Sequence, residues 1–182
     1  MENTLEINKK LIEKCRQGDI KAQFTLYKKY SIAMYNIAIR FLNNKMDAED
    51  VLQESFVTAF NRLSELKNDK VFGSWLRKIV TNNCISFVRK NKVYFEDINE
   101  NIIDENENDY EIEKSSDPVV VHSAIKELPD GGRTILVLYA LEGYKHREIA
   151  DMLKISESTS RTQYRRALNL LSKKLKNKIY VN

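Results

Sequence analysis

The chain is expected to be all-α, with two small helical domains joined by an acidic flexible linker and a helix-turn-helix in the second. Three observations support this. Apolar residues recur every three to four positions along most of the 182 residues, and strand-like alternation is scarce. Five Gly and two Pro are too few for a turn-rich β protein. Charge is also segregated. Residues 1–91 carry 16 Lys/Arg against 10 Asp/Glu, residues 92–117 carry 2 against 10, and residues 118–182 carry 12 against 6. Two basic bodies thus flank an acidic strap, although the net charge is only +4. Basic bodies suit a polyanionic partner, whereas the strap reads as a solvated, disordered linker.

The first domain is placed at 1–90. A helix is expected over about 5–17, ended near Gly18-Asp19. A second runs from Ile20 to Leu42, with Phe24, Leu26, Tyr27, Tyr30, Ala33, Met34, Ile37, Ala38 and Phe41 as a broad apolar side. Asn43-Asn44-Lys45 breaks it, and a third helix is expected from Asp47 to about Leu63. Residues 64–72 read as a polar loop, and a fourth helix as running from Gly73 to Arg89. The linker occupies 91–117 and the second domain 118–182. There, Val119–Lys126 forms a short helix. Pro129 suits the first turn of the next, which continues through Arg133, Ile135, Leu136, Leu138, Tyr139 and Leu141. Gly131 and Gly132 are expected to weaken its start.

The segment GYKHREIADMLKISESTSRTQYRRALNLL, residues 143–171, reads as two helices joined by a short turn. Ile149, Ala150, Met152 and Leu153 give the first an apolar side, with the small Ala150 at a close crossing. Lys154-Ile155-Ser156 interrupts the pattern, and Ser156 is a good N-cap. In the second helix Tyr164, Ala167, Leu168 and Leu171 point inward. Ser158, Arg161, Thr162 and Arg165 fall at i, i+3, i+4 and i+7 and point outward together. Such a face suits the DNA major groove, where Arg donates two bonds to guanine and Ser or Thr serves a base edge or phosphate.

Two other segments carry chemistry. In DAEDVLQESFVTAF, residues 47–60, Ala48, Val51, Leu52, Ser55, Phe56, Ala59 and Phe60 form a buried side. Asp50, Gln53, Glu54 and Val57 form an exposed one. It reads as a solvated acidic stripe or as a docking face for a basic protein. Metal binding by Asp50 and Glu54 alone lacks further ligands. In FGSWLRKIVTNNCISFVRK, residues 72–90, aromatics are interleaved with cations and amides, which suits unstacked bases, while Phe72 and Trp75 also suit a core.

Other function classes find little support. No phosphate-cradling Gly loop, nucleophile–base pair or metal set appears, so the chain is not expected to be an enzyme or to hold a cofactor. Cys15 and Cys84 read as reduced, buried thiols, and His122 and His146 form no ligand pair. No apolar run approaches the roughly 18 residues that span a bilayer. The N-terminal MENTLEINKKLIEK lacks a signal-peptide plan, so a cytoplasmic protein without membrane insertion is expected.

FTLYKKYSIAMYNIAIRFLNNKMDAEDVLQESFVTAF, FGSWLRKIVTNNCISFVRK and LPDGGRTILVLYALEGYKHREIADMLKISESTSRTQYRRALNLLSKKL, in this order, resemble an extracytoplasmic-function sigma factor. These are compact two-domain initiation factors of bacterial RNA polymerase. The resemblance covers nearly the whole chain except the N-terminal tip, the strap and the last residues. It implies that Asp47, Asp50, Gln53 and Glu54 dock on the β′ coiled coil of core polymerase. It implies that Phe72 with the loop before it, Trp75, Arg77, Lys78, Asn82 and Arg89 capture a flipped base of the −10 element. It also implies that Arg161, Thr162, Arg165 and Arg166 read the −35 element, with Ser156, Ser158 and Thr159 near phosphates. Core polymerase, promoter DNA and an anti-sigma protein that masks the docking face are the implied partners. The strap would thread toward the polymerase active cleft. The family usually has Gly where this chain has Lys154, and an apolar residue where it has Ser160. A stand-alone helix-turn-helix regulator and a polymerase-binding adaptor without DNA binding are the alternative functions.

Overall fold

The structure, a computed structural model, describes residues 4–91 and 117–179. The expected strap therefore lies outside the described residues except at its two ends. No strand occurs among the described residues, and the chain divides into two compact units, 1–88 and 89–182.

The first unit has four helices. α1 spans Thr4–Arg16 and α2 spans Ile20–Leu42. Gly18 turns the chain between them with φ +82°, a conformation that costs glycine little. Asp19 then caps α2, its Oδ1 accepting from Lys21 N at 2.8 Å and Ala22 N at 3.1 Å. Asn43 ends α2 in the left-handed region at φ 53°. α3 spans Lys45–Asn61 rather than starting at Asp47, because Asn44 is its N-cap and accepts from Met46 N at 2.9 Å. Asn43 and Asn44 thus divide two jobs between them, one stopping a helix and the other starting the next.

The expected polar loop at 64–72 is more ordered than its composition suggests. It holds two 3₁₀ turns, Leu63–Glu65 and Asp69–Val71, and buries Leu63 and Leu66. Arg16 ties it to α1, donating to Asp69 Oδ1 at 2.6 Å and to Leu66 O at 3.0 Å. α4 follows as Phe72–Lys90. The core gathers Ile12, Leu26, Phe41, Leu63, Phe72, Leu76 and Val80, all nearly inaccessible. Tyr27 meets Phe56 at 4.7 Å between ring centroids, joining α2 to α3, and Tyr30 meets Phe72 at 5.2 Å, joining α2 to α4. Two residues expected on the apolar side of α2 face outward instead: Phe24 is 57% exposed, with the Lys28 ammonium over its ring, and Ala33 is exposed. Cys15 and Cys84 are buried thiols, on α1 and α4.

The second unit begins with α5, Pro118–Lys126, capped by Asp117, whose Oδ1 accepts from Val119 N at 2.9 Å. α6 spans Asp130–Leu136 and continues as a π-helical turn, Val137–Leu141. α7 spans His146–Leu153 and α8 spans Glu157–Ile179. Ala124, Ile125, Leu128, Leu136, Ala167, Leu171 and Leu175 form its core, so α5 and α6 both pack on α8. The two glycines do not spoil the start of α6. A Cβ at Gly132 would lie 3.3 Å from Ala167 Cβ, so glycine there is what lets α6 approach α8 closely. Arg133 is 2% exposed and donates to Leu128 O at 2.8 Å and to Asp130 Oδ1 at 2.5 Å, holding the 128–130 turn.

Candidate functional site

Three surfaces carry the residues singled out above. On α3, Ala48, Val51, Leu52, Ser55, Phe56 and Ala59 are buried, and Phe60 is half-buried. Asp50, Gln53, Glu54 and Val57 are exposed on the opposite side, while Asp47 is half-buried in the first turn. Ser55 supports this geometry from within. Its hydroxyl donates to Val51 O at 2.6 Å and accepts from Asn83 Nδ2 at 3.0 Å, fixing α3 to α4. The acidic residues therefore form one outward face on a helix held at its back.

On α4, Lys78, Asn82 and Arg89 are exposed and Trp75 is half-buried. At 3.6 residues per turn these four lie within about 60° of one another, whereas exposed Arg77 lies about 160° from Trp75. The helix brings the four together and leaves Arg77 apart. Phe72 does not join them. At 1% exposure it is a core residue, with its ring against Tyr30 and 6.1 Å from the ring of Trp75. Its placement among base-contacting residues is corrected accordingly: it supports Trp75 from below.

The helix-turn-helix has the expected plan. Ile149, Ala150 and Leu153 are buried and Met152 is half-buried. Lys154 takes the left-handed conformation, φ 60° and ψ 44°, its N–H donating to Ala150 O. A residue with a Cβ thus occupies the position glycine would fill more cheaply. Ser156 caps α8, its Oγ accepting from Thr159 N at 2.9 Å. Ser158, Arg161 and Arg165 are exposed, with Thr162 and Arg166 half-buried. Arg161 donates to Glu157 Oε1 at 2.5 Å, which orients the guanidinium along the helix in the free chain. Thr159, expected near phosphate, is 9% exposed, and its hydroxyl lies 2.7 Å from Ser156 Oγ in the cap of α8.

Sequence reading missed His146. It is 8% exposed and its Nδ1 lies 2.9 Å from the Oγ of Ser160, which is 0% exposed. The signal was present, since His146, Ile149, Ala150 and Leu153 repeat at i, i+3, i+4 and i+7, the spacing of a buried stripe.

One helical unit thus carries an acidic outward face, and the other a helix-turn-helix whose second helix presents cations and hydroxyls. Comparison with known proteins identifies the family. The family described as Sigma-70 region 2 matches residues 26–93, and that described as Sigma-70, region 4 matches residues 119–171. RNA polymerase sigma factor SigV of Bacillus subtilis is 32% identical over 140 residues, covering 75% of this chain and 81% of SigV. RNA polymerase sigma-H factor of Pseudomonas aeruginosa is 27% identical, covering 94% and 95%. Sigma factor RpoE of Bartonella quintana, solved with the anti-sigma factor NepR, shares the fold. Its TM-score is 0.50 at 20% identity, covering 86% of this chain and 98% of that one. The chain belongs to the sigma-70 family of RNA polymerase initiation factors, in its extracytoplasmic-function class. It is an alternative sigma factor that binds core RNA polymerase and directs promoter-specific initiation. No helix among the described residues is long and apolar enough to cross a membrane.

Proposed function

We propose that the two units divide the work of initiation as domains at 1–90 and 118–182 with a linker at 91–117. The observation that carries this reading is the outward stripe of Ser158, Arg161 and Arg165 on α8, presented by a capped, packed helix in a region-4 unit. Arg161, Thr162, Arg165 and the flanking Arg166 read the −35 element, while Ser158 and the α8 N-terminus face phosphate. Trp75, Lys78, Asn82 and Arg89 take the −10 strand: the indole supplies a stacking surface, the amide a base-edge partner and the cations phosphate neutralisation. Arg77, on another side of α4, serves the backbone at most.

Asp50, Gln53 and Glu54, with Asp47 at the rim, form the polymerase docking face, where charge complementarity to a basic coiled coil sets register and association rate. An anti-sigma protein is the proposed regulator, by analogy with RpoE in its complex with NepR, and the exposed acidic face of α3 is where it would mask docking. The protein acts in the cytoplasm and catalyses no reaction itself.

Reconstituted transcription with core polymerase on a library of promoter fragments tests the reading. Initiation from a defined subset, dependent on this chain, is expected. Asp50→Arg with Glu54→Arg abolishes co-purification with core polymerase while the fold persists; unchanged co-purification would remove the docking assignment. Arg165→Ala costs about 1–3 kcal/mol and relaxes selectivity at one −35 position, whereas a uniform loss across sequences would make it a phosphate contact.

A further inference from the structure

His146 is the first residue of α7 and has none of the roles assigned above. Its ring stacks on Tyr139 of the π-helical turn, centroids 4.2 Å apart and planes 14° from parallel, and meets Tyr164 of α8 edge-on at 5.5 Å. Here a buried ring nitrogen and a buried hydroxyl meet at 2.9 Å, and each would be costly to bury alone. The bond fixes both the distance and the rotation between the start of α7 and the first turn of α8. Ser160 is followed directly by Arg161 and Thr162. Within a helix, rotation at one residue carries its neighbours with it.

We propose that His146 is a positioning residue for promoter reading: through Ser160 Oγ it sets the rotation of α8, and so the placement of Arg161, Thr162 and Arg165 against the −35 duplex. This rests on the assignment of α8 as the −35 reader. The groups that face the imidazole are Tyr139 from the turn and Ser160, Tyr164, Arg161 and Glu157 from α8, with Lys145 and Arg147 flanking it in the chain. Burial first, then Arg161, hold the imidazole below its usual value near 6.5, and Glu157 opposes them. The folded unit therefore favours neutral His146. Positioning holds while the folded imidazole is neutral and is lost as pH falls through its lowered folded value, because a buried cation then sits beside Arg161, while the stability tied to the neutral ring declines between about pH 6.5 and that value.

The test uses the full chain with core polymerase and fluorescent promoter duplexes differing by single −35 base pairs. His146→Phe keeps the stacked ring and removes Nδ1, Ser160→Ala removes Oγ, the double variant removes both, and His146→Asn places an amide near the Nδ1 position. Each of the first two is expected to cut discrimination by about fivefold, and the double variant to cut it no further, because all three lack the same bond; recovery in the double variant would assign the loss to an unpaired buried group instead. Asn should retain the wild-type level. As pH falls through the lowered folded value of His146, wild-type binding should weaken and that of the Phe variant should not. Melting of each variant at pH 7.5 separates unfolding from misplacement; if the Phe and Ala variants unfold, the wild-type pH profile and the Asn variant decide. Wild-type discrimination in both single variants overturns the proposal, as does wild-type binding that follows the pH profile of the Phe variant down to the acid limit of the fold. Arg165→Ala is the control on the underlying reading. If it too leaves discrimination unchanged, the assignment of α8 has failed, and if it alone loses discrimination, only the role of His146 has.

Discussion

Lys154→Gly should stabilise the helix-turn-helix. Lys154 is exposed, holds φ at 60° and ends α7 by donating its N–H to Ala150 O. A left-handed conformation costs a residue with a Cβ roughly 1–2 kcal/mol. Against this, glycine gains freedom in the unfolded chain worth about 0.5–1 kcal/mol. The net gain is about 0.5–1 kcal/mol, with the backbone hydrogen bond retained in both. Lys154 also places a cation at the C-terminus of α7, a favourable interaction with the helix dipole that the substitution removes. Lys154→Ala removes the same charge and keeps the Cβ, so the Gly-minus-Ala difference isolates the backbone term. Trp75, the one tryptophan, lies in the first unit, so its fluorescence would report the wrong part of the chain. Amide hydrogen exchange over 146–171 in the full chain is the appropriate assay. A gain of about 1 kcal/mol slows exchange there roughly fivefold relative to the Ala variant. Equal or faster exchange in the Gly variant would refute the backbone argument.

Gly132→Ala should act in the opposite direction. The new Cβ meets Ala167 Cβ at 3.3 Å, with Ala167 Cα at 3.9 Å behind it. Overpacking of about 1–3 kcal/mol should outweigh the roughly 1 kcal/mol of helix propensity gained, giving faster exchange in α6 and α8. Asp19→Ala removes the α2 cap and should cost about 1 kcal/mol, read by denaturant unfolding followed at Trp75. Arg16→Ala frees the 63–71 segment from α1 and should cost about 1 kcal/mol. Faster exchange confined to that segment would confirm it, and no change would show that the 3₁₀ turns hold themselves.

Local signals carried most of the fold. The α2 boundaries follow from an aspartate before an apolar run and an asparagine after it. The α8 start follows from Ser156, whose hydroxyl does what capping chemistry requires. The outward stripe on α8 was legible because helical periodicity alone separates Arg161 and Arg165 from Ala167 and Leu171. What sequence reading missed depended on non-local packing. Gly132 reads as a helix weakener until Ala167, 35 positions later, comes to lie against it. Phe72 reads as interface or core with equal ease, because only the position of Tyr30 decides. Phe24 keeps the helical register of α2, yet stays 57% exposed with Lys28 of the same helix over its ring. Ser160 interrupts an apolar pattern for a reason visible only once His146 is beside it.

The two cysteines give the chain an unplanned reporter. Cys15 is 4% exposed and Cys84 0%. Burial, with Asp19 adding to it, pushes the Cys15 thiol up to about 11. At neutral pH its reactive thiolate is present in on the order of one molecule in ten thousand. Neither thiol is placed to sense an oxidant, yet each becomes alkylatable once its helix opens. Both lie in the first unit, and residues 118–182 contain no cysteine. A thiol-reactive reagent applied to the intact protein therefore times the opening of the first unit alone and is blind to the second. The rate at which core polymerase slows that labelling would measure how far docking rigidifies the first unit.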